Sequence, residues 1–145
     1  MKLFSTNRVL VPIDFSEESF KAQQLTLDFV EDPNCLHVLH VLRNLNPGDP
    51  GIVWDTMDDR TRQESVKKAF FEKFNEAKYQ KINFTVAIGD PSDRIIEYAK
   101  KHSIELIVIP SHGRTGIGRF FLGSVAEKVV RYAHCPVLVL RRDEL

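Results

Sequence analysis

Apolar and polar positions fall into blocks along the chain, and each block follows one of two periods. Five short runs are rich in valine, leucine and isoleucine: "RVLVPI" (8–13), "CLHVLHVL" (35–42), "INFTVAI" (82–88), "ELIVIP" (105–110) and "PVLVLRR" (136–142). Their length and branched composition predict strands, mostly buried on both faces. The blocks between them repeat at helical spacing. Ser16 opens "SEESFKAQQLTLDFV" as an N-cap, with Glu17 and Glu18 in the first turn where the helix dipole favours acids. Beyond Arg60, the stripe Val66, Phe70, Phe74 and Ala77 predicts a second helix. In "GDPSDRIIEYAKKH", Asp90 caps, Pro91 suits the first helical position, and Ile95, Ile96 and Ala99 form the buried side. Val125, Val129 and Tyr132 mark a last helix.

Strands and helices therefore alternate from start to finish. That order predicts a doubly wound α/β domain, a five-stranded parallel sheet in the order 3-2-1-4-5 with helices on both faces. Ligands of such sheets sit at the carboxyl ends of the strands, where the strand order switches direction. Asp14 ends the first strand and a glycine-rich loop follows the fourth, which puts both on one rim.

Composition narrows the function without naming it. The 145 residues suit one domain spanning 1–145. Basic and acidic residues balance at 20 each, which argues against a nucleic-acid binder, since those carry a basic excess. The two cysteines, Cys35 and Cys135, have no metal or redox spacing and read as free thiols of a reducing compartment. The opening residues hold no signal-peptide core, and no apolar run reaches the roughly 18 residues that span a membrane. A cytoplasmic protein is the expectation. His37 and His40 stand three apart on a strand, point to opposite faces and cannot share a metal. Pro47, Gly48, Asp49, Pro50 and Gly51 mark a long irregular connection, in which Trp54 serves as a loop anchor or a pocket cover.

The chemistry concentrates in "SHGRTGIGRFFLGS", residues 111–124. Glycines let backbone N–H groups approach an anion, and the helix that follows adds unpaired N–H groups and a favourable dipole. The N–H groups of Gly113, Gly123, Ser124 and Val125 and the Ser124 hydroxyl are candidate phosphate donors, with Arg114 and Arg119 adding charge. Ser124 has a second reading, because "SVAE" is a capping box with Ser124 at the N-cap and Glu127 three residues on. Asp14 has two readings as well: it orders the turn before Ser16, or it holds Mg²⁺ or accepts from a nucleotide. The loop is neither a Walker sequence nor a dinucleotide fingerprint. His112 beside it belongs to no recognisable nucleophile–base–orienter set, so an enzyme is not expected beyond a slow ATPase.

Three stretches resemble the universal stress protein family. "VLVPIDFSEES" is similar to its opening strand and turn, "GDPSDRIIEYAKKHSIELIVIPSHGRTG" to its third helix and fourth strand, and "GRTGIGRFFLGSVAEKVVRYAHCPVLVLR" to its nucleotide loop, helix and last strand. The resemblance implies a Rossmann-like, adenine nucleotide alpha-hydrolase-like fold and a stress-response role. It also implies ATP or AMP as ligand. Family members that bind ATP resemble one another in a G-x2-G-x9-G-S/T loop. Gly113 and Gly123-Ser124 match it, and Pro110 stands where the first glycine would be. By the same resemblance Asp14 and the backbone of Val41 meet the adenosine, and Val125 adds an N–H to the phosphates. The family pairs through its last strand, which implies a homodimer. The alternative is a homodimeric partner-binding stress protein that takes no nucleotide.

Overall fold

The computed structural model describes residues 4–45, 48, 58–111 and 122–141. Five strands form one parallel sheet: β1 (Val9–Ile13), β2 (Leu36–Leu42), β3 (Asn83–Ile88), β4 (Leu106–Pro110) and β5 (Val137–Leu140), in the order β3-β2-β1-β4-β5. Four helices lie among the described residues: α1 (Glu17–Val30), α2 (Asp59–Lys73), α3 (Pro91–Lys101) and α4 (Ser124–Tyr132). The expected Rossmann-like topology is the one observed.

Strand geometry explains how one sheet serves two cores. Successive side chains point to opposite faces. Val9, Val11, Ile13, Leu106 and Val108 join α1 and α2 in one apolar cluster, while Leu10, Ile107 and Ile109 join α3 and α4 in the other. Val9, Leu10, Leu106 and Ile107 at the sheet centre are wholly buried, each adding roughly 1.5–3 kcal/mol by leaving water. Under α2, the Phe70 ring stacks on Phe84 with centroids 4.0 Å apart.

Local signals set the helix ends as expected in two places. The Ser16 hydroxyl accepts from the Ser19 N–H at 3.2 Å, and the Asp90 carboxylate accepts from the Asp93 N–H at 3.0 Å. The other two helices depart from expectation. The stripe assigned to α2 runs past its end, since Phe74 is the C-cap and Ala77 opens a 3-10 turn. In α4, Val129 is buried but Tyr132 is 59% exposed, because only Ala126 and Val129 of this short helix are buried against the sheet.

The two histidines of β2 do face opposite ways. His37 Nδ1 lies 2.7 Å from the Tyr98 hydroxyl on the α3 side, and His40 Nδ1 lies 2.9 Å from the Ile13 carbonyl. No described helix is long and apolar enough to cross a membrane.

Candidate functional site

A cleft opens where the strand order switches. β1 pairs with β2 along its whole length, from Val9↔Leu36 to Ile13↔His40, but with β4 only at Val9↔Leu106 and Leu10↔Ile107. Beyond Leu10 and Ile107 the two central strands part. Each carries a proline in that stretch, Pro12 and Pro110, and neither offers a ladder N–H there. The cleft between them has a volume of about 350 Å³.

Its floor is apolar, with Ile13, Leu39, Val41, Ile95 and Ile109 among the lining residues. The first turns of two helices frame it: Pro91 from α3, and Gly123, Ser124, Val125 and Ala126 from α4. Asp14, Pro110 and Ser111 line it from the strand ends. The structure therefore gathers Asp14, Val41, Pro110, Gly123, Ser124 and Val125 around one space. Gly113 and Arg114, together with His112, Arg119 and Trp54, lie outside the described residues.

The entry to α4 differs from the capping box expected from sequence. Gly123, not Ser124, is the N-cap, and no side chain caps the helix among the described residues. The Gly123 N–H donates to the Ser111 carbonyl at 2.7 Å, and the Gly123 carbonyl accepts the Glu127 N–H at 2.8 Å. That pair fixes where the helix begins and places Ser124 at the first helical position. Two corrections follow. The Gly123 N–H is committed to Ser111 rather than offered to a ligand, and the Glu127 side chain turns instead to Arg131, 2.6 Å away. The N–H groups of Ser124, Val125 and Ala126 are those that a helix start leaves without intrahelical acceptors. Here they edge the cleft.

Asp14 sits in a turn built by its neighbours. Its Oδ1 accepts from the Ser16 N–H at 3.0 Å, and its own N–H donates to Ser19 Oγ at 3.4 Å. The next residue, Phe15, has φ of 63°, a left-handed conformation that costs a non-glycine residue about 1–2 kcal/mol. Packing holds it there: its ring meets Phe20 edge-on at 5.3 Å and His40 at 4.8 Å. The turn-ordering reading of Asp14 is thus realised, and the residue also lines the cleft.

Arg43 also lines the cleft, and the sequence reading missed it. It stands one residue past β2, outside any motif, so only the end of that strand in space reveals it. Lys128 of α4 lies 2.7 Å from Asp93 and 3.7 Å from Asp90, tying α4 to the start of α3. Hydrogen bonds from Ser92 and Asp93 hold the Asp90 carboxyl below its usual range, with Lys128 and Arg43 adding to the effect. Neither thiol is activated: burial pushes both Cys35 and Cys135 above the usual range.

The sequence matches the Universal stress protein family over residues 5–141. It is 32% identical to Universal stress protein MJ0531 of Methanocaldococcus jannaschii over 144 residues, covering 94% of this chain and 83% of that protein. Among solved structures, the fold resembles universal stress protein UspA from Lactobacillus plantarum with a TM-score of 0.71, at 23% identity and covering 94% of this chain and 98% of that one. A universal stress protein in complex with cAMP gives 0.67 at 20% identity, covering 94% and 99%. A family protein from Arabidopsis thaliana with AMP bound gives 0.59 at 21%, covering 95% and 94%. The sequence match covers nearly the whole described fold, and the chain belongs to the universal stress protein family.

Proposed function

We propose that the protein binds an adenine nucleotide, ATP or AMP, in the cleft between β1 and β4 and works in the cytoplasm as a stress-response module that changes state with the ligand. The observation that carries this reading is the start of α4. Among the described residues its N–H groups have no capping side chain, and they border an apolar cleft at the switch point. An anion satisfies those donors and meets the positive end of the helix dipole, while the floor of Leu39, Val41 and Ile95 suits a flat base. The AMP and cAMP bound by the two fold neighbours support the same assignment.

In this reading Ser124 and Val125 donate to phosphate, Asp14 and the Val41 backbone face the nucleoside, and Gly113 and Arg114 belong to the same loop. Asp14 also fits Mg²⁺, which commonly takes one or two protein carboxylates and completes its shell with phosphate oxygens and water.

The test is titration with AMP and with ATP, with and without Mg²⁺, followed by melting temperature and Trp54 fluorescence. Nucleotide at a hundred times its Kd is expected to stabilise the fold by about 2.7 kcal/mol. No stabilisation at millimolar nucleotide would falsify the reading.

A second reading, a ligand-free partner-binding dimer, draws on the β5 edge of the sheet. Leu138 there is 40% exposed, and Val130 and Tyr132 of α4 are also exposed. An unpaired apolar edge is a template for another strand. Homodimerisation through β5 is part of both readings.

A further inference from the structure

We propose that Arg43 closes the base end of the cleft by laying its guanidinium against the ring of the bound nucleotide, which makes it a residue that adds affinity through the base. The inference rests on the nucleotide reading and concerns the end of the cleft farthest from the phosphate.

The geometry assigns the two ends. Anion donors gather at α4, which follows β4, whereas β2 lies on the other side of β1. A phosphate at Ser124 and Val125 therefore directs the nucleoside across the end of β1 toward Leu39, Val41 and Ile95. Those side chains supply an apolar surface for one face of a ring. Arg43 and Asp14 are the charged residues among the described lining, and Arg43 is the one beyond the tip of β2.

Arg43 is also held in a way that suits the task. The Leu42 carbonyl accepts from the Gly89 N–H at 2.8 Å, and the Arg43 carbonyl accepts from Arg62 Nη2 at 2.8 Å. The Arg62 side chain that makes this second bond is only 12% exposed, although the bond itself lies at the surface. Gly89 has φ of 138°, a conformation that L side chains rarely adopt, so the first bond depends on glycine. Both bonds pin the main chain and leave the Arg43 side chain at the cleft mouth.

The Arg43 charge reaches Asp90, but the partners in contact with that carboxylate are others. Its Oδ2 accepts from the Ser92 hydroxyl at 2.6 Å and the Asp93 N–H at 3.0 Å, and it faces Lys128 at 3.7 Å. A guanidinium is planar, weakly hydrated and stacks on aromatic faces, which an ammonium does less well. Cation–π contact of this kind changes affinity by about three- to tenfold at a partly exposed site.

Kd values for AMP and for ribose 5-phosphate, which lacks the base, are measured for wild type, Arg43→Ala and Arg43→Lys by NMR titration into the millimolar range. AMP is titrated at low and at high salt. Arg43→Ala is expected to weaken AMP about three- to tenfold at both salt concentrations and to leave ribose 5-phosphate unchanged, with Arg43→Lys in between. An equal loss for both ligands, or a loss that disappears at high salt, would show that Arg43 attracts the phosphate and would overturn the proposal. Unchanged AMP affinity in Arg43→Ala overturns it too and leaves the nucleotide reading standing. Wild type that binds neither ligand removes that reading and this inference together.

Discussion

Pro110 ends β4 beside the cleft and lacks the N–H that a glycine would present to a ligand. A hydrogen bond to a charged group contributes about 1.5–3 kcal/mol, so Pro110→Gly is expected to tighten AMP or ATP binding roughly ten- to a hundredfold. The same change loosens the unfolded chain and lowers stability by about 0.4–1 kcal/mol. Calorimetric Kd values and melting temperatures of the two proteins separate these effects, and an unchanged Kd would show that position 110 makes no contact with ligand. Ser124 shows where residue-level reading stops. "SVAE" contains every residue of a capping box, yet Gly123 takes the cap because its N–H is held by Ser111, twelve residues earlier. A local pattern lost to a bond that closes a loop, and no window around Ser124 contains that bond.

At the scale of elements, β2 and α3 are joined away from the cleft by a ring cluster. His37 Nδ1 meets the Tyr98 hydroxyl at 2.7 Å, Tyr98 stacks on His102 with centroids 3.9 Å apart, and Thr85 of β3 also bonds Tyr98. Burial, then the charges of His102 and Arg8, hold His37 below its usual range. The sign follows directly. A histidine with a depressed folded pKa binds fewer protons folded than unfolded, so its contribution is fully present above the unfolded pKa of about 6.5. That contribution is lost as pH falls below that value toward the folded pKa. Chemical denaturation from pH 8 to pH 5 is expected to show stability declining below about pH 6.5. The decline should be shallower in His37→Gln, and an equal slope in both proteins would assign the effect to other groups.

At the scale of the whole molecule, the sheet buries both faces but leaves β5 as an edge with Leu138 exposed. Two such edges pair without new backbone strain, and the exposed Tyr132 and Val130 of α4 add apolar area nearby. Sedimentation at micromolar concentration is expected to give a dimer. Leu138→Lys should shift it to monomer with little change in the fold, because Leu138 is already 40% exposed. A wild-type monomer would remove β5 pairing from both functional readings. The uncapped α4 start and the β5 edge lie on either side of one short helix–turn–strand segment. In the proposed reading, a ligand bound at that helix start has a short path to a partner strand at β5.

The sequence alone determined the strand runs, the alternation with helices, the 3-2-1-4-5 order and the caps at Ser16 and Asp90. Each of these depends on residues near one another in the chain or on a period that a core face imposes. Tertiary structure decided the rest. It ended the β1–β4 ladder at Leu10 and Ile107, moved the α4 cap to Gly123, held Phe15 in a left-handed turn and brought Arg43 to the cleft. The physical reason is the same in every case. A cleft is made by surfaces that stop touching, and where contact stops depends on bonds between residues far apart in sequence.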